Sequence, residues 1–185
     1  EKRGWNAVHL NAFYDLLNHV YVDAIVTPGR KLAEQTSLMA MLKRLDDNRK
    51  TIIIADRGYE SYELFFYLLT ERIPFVFRVK KPGSNGAMLS KATLPKEDEY
   101  DINFILKVAS QSVYGRTKAK EKIEKQGYKT IAARNLPFFS KEQTTYIFPV
   151  VRLLKVQLPG KEPEYLVTNL EAETFSTEEI KRIYA

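Results

Sequence analysis

The segment from Thr51 to Lys80 constrains the fold more than any other part of this chain. It begins with a short, unbroken β-branched run over Thr51–Ala55, which is typical of a parallel strand covered on both faces. The apolar segment over Glu60–Glu71 predicts a buried helix, and Phe75–Lys80 predicts a second strand. Because such crossovers are right-handed, we expect the two strands to be parallel with their carboxyl ends at one sheet edge. Asp56 would then lie at the same edge as Lys80.

The residues before this unit predict a hairpin and a helix. Apolar and polar residues alternate from Val8 to Asp15 and from Val20 to Val26, which is the period of two expected of half-buried strands. The connection at Asn18-His19 predicts an antiparallel hairpin, because Asn18 tolerates left-handed backbone angles. Spaced leucines predict a helix over Leu32–Leu45 that ends at Asp46-Asp47-Asn48.

From Lys81 onward the pattern changes to loops and strands. We interpret residues 81–164 as a β-rich insertion. Within it, Gly115–Gln126 is a basic loop, a β-turn with long arms or a short helix. The predicted strands of this region are Ile102–Val108, Thr130–Arg134 and Tyr146–Val156.

The last residues predict one more strand and one more helix. Tyr165–Thr168 has the apolar pattern of a buried strand. The spacing Ser176-x-x-Glu179 is a capping box, which predicts a helix through Ile180 and Tyr184. Since a helix this short gains little stability by itself, we expect residue 185 to be a fragment boundary.

Composition excludes several kinds of site. The chain has no cysteine and only two histidines, His9 and His19, which rules out a disulfide scaffold, a thiolate zinc site and a cysteine nucleophile. Any metal site must be built from carboxylates, and oxygen is the ligand that Mg²⁺ prefers. No apolar stretch approaches the roughly 18 residues of a membrane span, and Glu1-Lys2-Arg3 does not open a signal peptide. We expect a soluble cytoplasmic protein with no membrane partner.

The positive charge is concentrated in one region. The net charge is +6, and Arg116–Arg134 holds seven basic residues against two acidic ones. Such a cluster favours a polyphosphate, because phosphates neutralised by lysine or arginine release condensed counterions. A solvated protein surface is the alternative. The candidate DNA-binding residues here are Arg116, Lys118, Lys120 and Lys122.

Three segments resemble the DDE transposases of bacterial insertion-sequence elements. Residues 54–61, Ile-Ala-Asp-Arg-Gly-Tyr-Glu-Ser, together with Phe75–Lys80, look like the segment around the second catalytic aspartate. Residues 9–16 and 21–24 resemble the hairpin that follows the first catalytic strand in the insertion-sequence-four group. Val167–Leu170 and the helix opening at Ser176 resemble the approach to its Tyr-Arg-Glu-Lys signature, which Tyr184 would begin.

The resemblance and the order of elements imply an α/β, ribonuclease H-like core with a β-rich insertion. The core is incomplete, since its first strand and last helix have no counterpart. The domains would be the first part of the core at 1–80, the insertion at 81–164, and a return to the core with the start of a truncated helix at 165–185. Without its first strand, we expect the hairpin to pair directly with the Thr51 strand, shift register, or recruit a second copy.

The resemblance also implies the site and its partners. Asp56 would be a catalytic residue and a ligand of Mg²⁺ or Mn²⁺, with two ions in the full-length protein. The partners would be double-stranded DNA at transposon ends and target, and further copies of the protein, in the bacterial nucleoid. Since only Asp56 matches the acidic triad, we expect these 185 residues alone neither to cleave nor to join DNA.

Several roles stay open at this point. Arg57 either pairs with a nearby carboxylate or contacts a phosphate. Arg78, Lys80 and Lys81 either hold a substrate phosphate or belong to a solvated strand end. Glu60, Glu63 and Glu71 are expected to face solvent. Two other functions remain: a non-enzymatic basic nucleic-acid-binding or dimerisation module in which Asp56 only caps a turn, and a metal-dependent nuclease with the same core but no joining step.

Overall fold

The computed structural model describes residues 7–28, 34–45, 50–90, 92–132, 136–157 and 162–184, apart from the side chain of Thr117. The chain forms two compact units, Glu1–Lys50 and Thr51–Ala185. The features expected at residues 1–3, at the helix start near Leu32, at Asp46-Asp47-Asn48 and at Arg134 lie outside the described residues.

The predicted hairpin is confirmed in the first unit. Strands β1 (Val8–Asp15) and β2 (Val20–Pro28) pair antiparallel and form a two-stranded sheet of their own. The Asp15 carboxylate organises the turn by accepting the backbone N–H of Asn18 at 3.0 Å. The left-handed residue is His19, with φ of 56°, rather than Asn18 as predicted.

Helix α1 (Glu34–Leu42) completes the first unit. It is shorter than the predicted helix at its carboxyl end, where residues 43–45 form a turn. Leu38, Met41 and Leu42 are buried, as the leucine spacing predicts. A buried hydrogen bond of 3.3 Å from the Asn11 amide to the Ser37 hydroxyl links the helix to β1.

A five-stranded sheet forms the core of the second unit. Strand β3 pairs parallel with β4, and the other three strands pair antiparallel in the order β3-β4-β10-β9-β5. Helix α2 (Tyr62–Thr70) connects β3 to β4, so the predicted β-α-β unit is confirmed. The strands are β3 (Ile53–Ala55), β4 (Phe75–Val79), β5 (Tyr100–Phe104), β9 (Val151–Val156) and β10 (Glu164–Thr168).

The two faces of this sheet pack against different helices. On one face, the Phe65 ring of α2 lies edge-on to Phe75 and Phe77, with centroids 5.3 and 5.5 Å away. On the other, helix α5 (Thr177–Tyr184) buries Ile180 against a cluster that includes Val76. The predicted capping box begins α5, since the Glu179 carboxylate accepts the Ser176 N–H at 2.7 Å. Val76 and Arg78 therefore share the α5 face.

A second, three-stranded sheet has the order β7-β6-β8. Helices α3 and α4 lie between β6 and β7, which pair parallel, while β8 pairs antiparallel with β6. Phe66 of α2 contacts the rings of Phe138 and Tyr146, with centroids 5.2 and 5.4 Å away, so this sheet packs beside α2. The elements are β6 (Lys107–Ser110), α3 (Gln111–Tyr114), α4 (Thr117–Glu124), β7 (Lys129–Ile131) and β8 (Thr145–Ile147).

Two predicted strands are each divided between the sheets. The run Ile102–Val108 becomes β5 and β6, and the run Tyr146–Val156 becomes β8 and β9. Pro149 lies in the second gap, and a proline has no N–H to continue a strand ladder. Strands β5 and β9 thus pair in the same sheet as β3 and β4. The mixed α/β class is confirmed, whereas the division of the chain at 80 and 164 stays a prediction.

Candidate active site

Asp56 directly follows β3 and projects from the end of the sheet. Its side chain is 56% exposed. One carboxylate oxygen, Oδ1, accepts the backbone N–H of Arg57 at 2.6 Å and so caps a single 3₁₀ turn over Arg57–Tyr59. Among the described residues, none donates a hydrogen bond to the other oxygen, Oδ2. Asp56 therefore caps a turn and still presents a free carboxylate oxygen.

The guanidinium of Arg78 joins two carboxylates. Its Nε donates to Asp56 Oδ1 at 2.5 Å, and its Nη1 donates to Glu164 Oε1 at 2.9 Å. Arg78 lies on β4, which is flanked by β3 and β10 in the sheet. Its guanidinium can therefore reach both Asp56, which follows β3, and Glu164 of β10. Sequence reasoning missed Glu164, since nothing in the sequence shows that β10 pairs with β4.

The charges of this cluster shift the pKa values of its members. Partial burial alone would raise the pKa of Asp56, but the hydrogen bonds from Arg78 and from the Arg57 N–H, with the charges of both arginines, lower it below its ordinary value. The hydrogen bond to Asp56 in turn raises the pKa of Arg78. The Asp56 carboxyl is therefore ionised at neutral pH.

Tyr184, the last residue of α5, belongs electrostatically to the same cluster. Burial raises the pKa of its hydroxyl. The positive charge of Arg78 lowers this pKa by a smaller amount, and the negative charges of Asp56 and Glu164 raise it. The structure thus brings together Asp56, Arg78 and Tyr184, which the sequence analysis proposed for separate reasons. The role of Tyr184 as the start of a signature stays a prediction.

The other basic residues predicted near Asp56 differ in exposure. Arg57 and Lys81 are exposed, and Lys80 is half-buried. The backbone N–H of Lys80 donates to Glu60 Oε2 at 2.7 Å, and the N–H of Met88 donates to Glu60 Oε1. The expectation that Glu60 faces solvent is therefore wrong, because this carboxylate closes the loop between Lys80 and Met88. Glu63 and Glu71 are exposed, as expected.

We expect Glu60→Ala to destabilise the fold by about 2–3 kcal/mol, because two backbone N–H groups lose a charged acceptor. Urea unfolding followed by circular dichroism measures this change. Glu71→Ala is the matched control and should change the free energy of unfolding by less than about 0.5 kcal/mol. Equal effects of the two substitutions would mean that the Glu60 contacts contribute nothing to stability.

The basic segment Gly115–Gln126 contains the helix α4. Of the three conformations that the sequence left open, the short helix is therefore the one observed. Ile123 is buried and fixes one side of this helix. Arg116, Lys118, Lys120 and Lys122 are all exposed, and no ion pair joins any of them to a described acidic residue. Likewise, no hydrogen bond or ion pair within the described ranges links these four to Asp56.

Three lysines of this segment form a continuous stripe. Lys118, Lys122 and Lys125 have the spacing i, i+4 and i+7, which places them along the side of the helix opposite Ile123. All three are exposed. We call them the lysine stripe.

The fit of a divalent cation to these residues is partial. Asp56 suits one ligand position, since it is ionised, exposed and has an unshared oxygen. In the part of the chain that the structure describes, no group of three or more histidine, aspartate or glutamate side chains is placed to hold a metal ion. The rest of a coordination sphere is not formed by these residues.

The class of protein follows from the family comparison, and the fold and the charged site agree with it. The site combines an ionised aspartate at a strand end with arginines beside it and a separate lysine-rich helix. Carboxylates with shifted pKa values are concentrated at functional sites. The family model described as the transposase DDE domain matches residues 1–185, so the chain belongs to that family. This membership indicates a transposase function.

One further comparison and one feature of the structure bear on the classification. A search of curated proteins finds no match to this chain. None of the helices that the structure describes is long and apolar enough to cross a membrane. Membership of the insertion-sequence-four group in particular stays a prediction.

Proposed function

We propose that the chain is the central part of the catalytic domain of an insertion-sequence-four transposase, which cleaves and joins DNA strands at transposon ends. The observation that carries the proposal is Asp56, an exposed and ionised carboxylate at the end of a strand in a transposase DDE domain. In this proposal the fold is a ribonuclease H-like core with a β-rich insertion. Its first strand and last helix, and the two other carboxylates of the triad, come from residues outside this sequence.

Asp56 would be one ligand of Mg²⁺ or Mn²⁺, and a pair of such ions stabilises the attacking and leaving oxygens of a phosphodiester in in-line displacement. Arg57 and Lys81 are exposed near the same strand ends, where they would neutralise substrate phosphates. Arg78 and Lys80 are less exposed, so we assign them to positioning the site as much as to contacting DNA. The residue roles rest on this geometry together with the resemblance.

Double-stranded DNA is the proposed partner, bound by the lysine stripe and by Arg116 and Lys120. The helix presents these cations free of described ion pairs, so no protein carboxylate has to be displaced when a phosphate binds. Counterion release from that phosphate then favours binding. Assembly of further copies on two transposon ends is part of the same proposal.

The test is an assay of the full-length gene product with a duplex that carries the ends of its own element, in the presence of Mg²⁺. A transposase releases nicked ends and then joins them to target DNA. A nuclease gives nicked products that are never joined, and a non-enzymatic module binds the duplex without any product. Either of the last two results would overturn the proposal.

Substitution of the lysine stripe tests the DNA-binding surface. Changing Lys118, Lys122 and Lys125 to glutamine should make DNA binding less sensitive to salt. The slope of the logarithm of the binding constant against the logarithm of salt concentration should become less negative by about 2–3, since each phosphate contact contributes about 0.9. Glutamine has nearly the helix propensity of lysine, so α4 should persist. Affinity is measured by fluorescence anisotropy at several salt concentrations.

The charge-preserving change of the same three residues to arginine is the control and should leave the salt slope unaltered. An unchanged slope in the glutamine variant would show that this surface is solvated and does not contact DNA.

A further inference from the structure

Arg78 is shared by two carboxylates that differ sharply in environment. The Glu164 side chain is 13% exposed, whereas that of Asp56 is 56% exposed. The second oxygen of Glu164, Oε2, is buried and has no hydrogen-bond partner among the described residues. Arg78 is thus the one described cation paired with Glu164.

The two ion pairs therefore have different energetics. A carboxylate as little exposed as Glu164 is penalised when it loses its cation, because water reaches it poorly and no other described residue donates a hydrogen bond to it. An exposed carboxylate that loses its cation is rehydrated at little cost. Asp56 would also keep the hydrogen bond from the Arg57 N–H. The contact between Arg78 and Asp56 is hence the exchangeable one, and the contact between Arg78 and Glu164 is the fixed one.

We propose that Glu164 is a positioning residue for Asp56: it retains the Arg78 guanidinium, so that Asp56 can exchange Arg78 for a divalent cation. This inference rests on the proposed function, because it assigns a partner to the same carboxylate. Glu164 compensates the charge of Arg78, which would otherwise oppose a cation at Asp56. Glu164 itself is not a ligand in this arrangement, since its accessible contact is already made to Arg78.

The experiment uses the full-length gene product labelled with ¹⁵N in arginine and in the backbone. Slow rotation of the Arg78 guanidinium reports whether its Nη groups are held. Mn²⁺ is the probe of cation binding, and broadening of the Arg57 and Gly58 amide signals reports its affinity even when binding is weak. Wild type is compared with Glu164→Gln and Asp56→Asn.

We expect the guanidinium to rotate slowly in wild type and in Asp56→Asn, and fast in Glu164→Gln. Glu164→Gln should weaken Mn²⁺ binding about tenfold. The substitution leaves the Arg78 charge uncompensated, and the repulsion between one unit charge and a divalent cation across a hydrated surface is of about that magnitude. Glu162→Gln removes the same charge from an exposed residue on the same segment and should leave both signals as in wild type.

Two outcomes would overturn the inference: slow rotation that persists in Glu164→Gln, or Mn²⁺ affinity that is the same in Glu164→Gln and Glu162→Gln. A different result bears on the proposed function. If Asp56→Asn and wild type show identical Mn²⁺ broadening, the cation does not bind Asp56, whatever the rotation of Arg78 shows. The two proposals thus fail separately.

Discussion

Replacing Asp56 with asparagine in the full-length gene product should reduce Mg²⁺-dependent strand cleavage by about a thousandfold or more, because the site loses the charge that holds the cation. Asparagine keeps the shape of the side chain and one oxygen that can accept the Arg57 N–H. It is also as favourable as aspartate at a helix amino terminus. The turn after β3 should therefore persist. Cleavage is measured by release of nicked ends from a labelled duplex.

This substitution separates the turn-capping role of Asp56, which the structure shows, from the cation-binding role that we propose. If Asp56 only caps the turn, the asparagine variant retains activity and the catalytic assignment is wrong. If Asp56 also binds the cation, activity is lost while DNA binding stays within about threefold and the unfolding midpoint is nearly unchanged. Asp98→Asn, an exposed aspartate in a loop, is the control and should retain wild-type cleavage.

The β-α-β unit was predictable because its signals are local. The run Thr51–Ala55 is β-branched without polar residues, and Pro74 separates the helix from the next strand. A helical crossover between neighbouring strands then makes the pairing of β3 and β4 parallel. The same locality made the hairpin and the capping box of α5 predictable. In each case, residues within one turn or one strand carry the information.

What the sequence could not show was which distant segments pair. Strands β5 and β6 follow each other with only two residues between them, yet they join different sheets. The pairing of β4 with β10 is likewise between segments far apart in the chain, and it alone brings Glu164 to Arg78. The position of Asp56 at a strand end was predictable from local sequence. The proximity of Glu164 to Arg78 depends on the strand order of the sheet, which local sequence does not show.

Glu60 shows a second limit of the sequence patterns. A glutamate near the start of a helix is usually solvated, and Glu63 and Glu71 follow that expectation. Glu60 instead precedes α2 and faces the loop that begins at Lys80. A carboxylate that accepts backbone N–H groups leaves no periodic signal, since its partners are set by the path of a loop.

The buried ion pair between Arg152 and Asp101 has the same non-local origin. Arg152, on β9, is 5% exposed, and its Nε and Nη2 groups both donate to the Asp101 carboxylate on β5. Its Nη1 donates to the carbonyl oxygens of Leu170 and Phe175 at 3.1 and 2.7 Å. The Thr177 hydroxyl, at the start of α5, donates to Asp101 at 2.6 Å. This network ties α5, and with it Tyr184, to the sheet.

We expect Asp101→Ala to destabilise the fold by about 3–5 kcal/mol, because it leaves the buried Arg152 guanidinium without a counter-charge. Asp101→Asn should cost less, since one oxygen can still accept from Arg152 or Thr177 although the charge is gone. The free energies of unfolding are measured by urea denaturation. Asp98→Ala removes a charge from the exposed loop just before β5 and should change stability by less than about 0.5 kcal/mol. If Asp101→Ala matched that control, Arg152 would not depend on this carboxylate, and the attachment of α5 would have to come from Ile180 and its apolar neighbours alone.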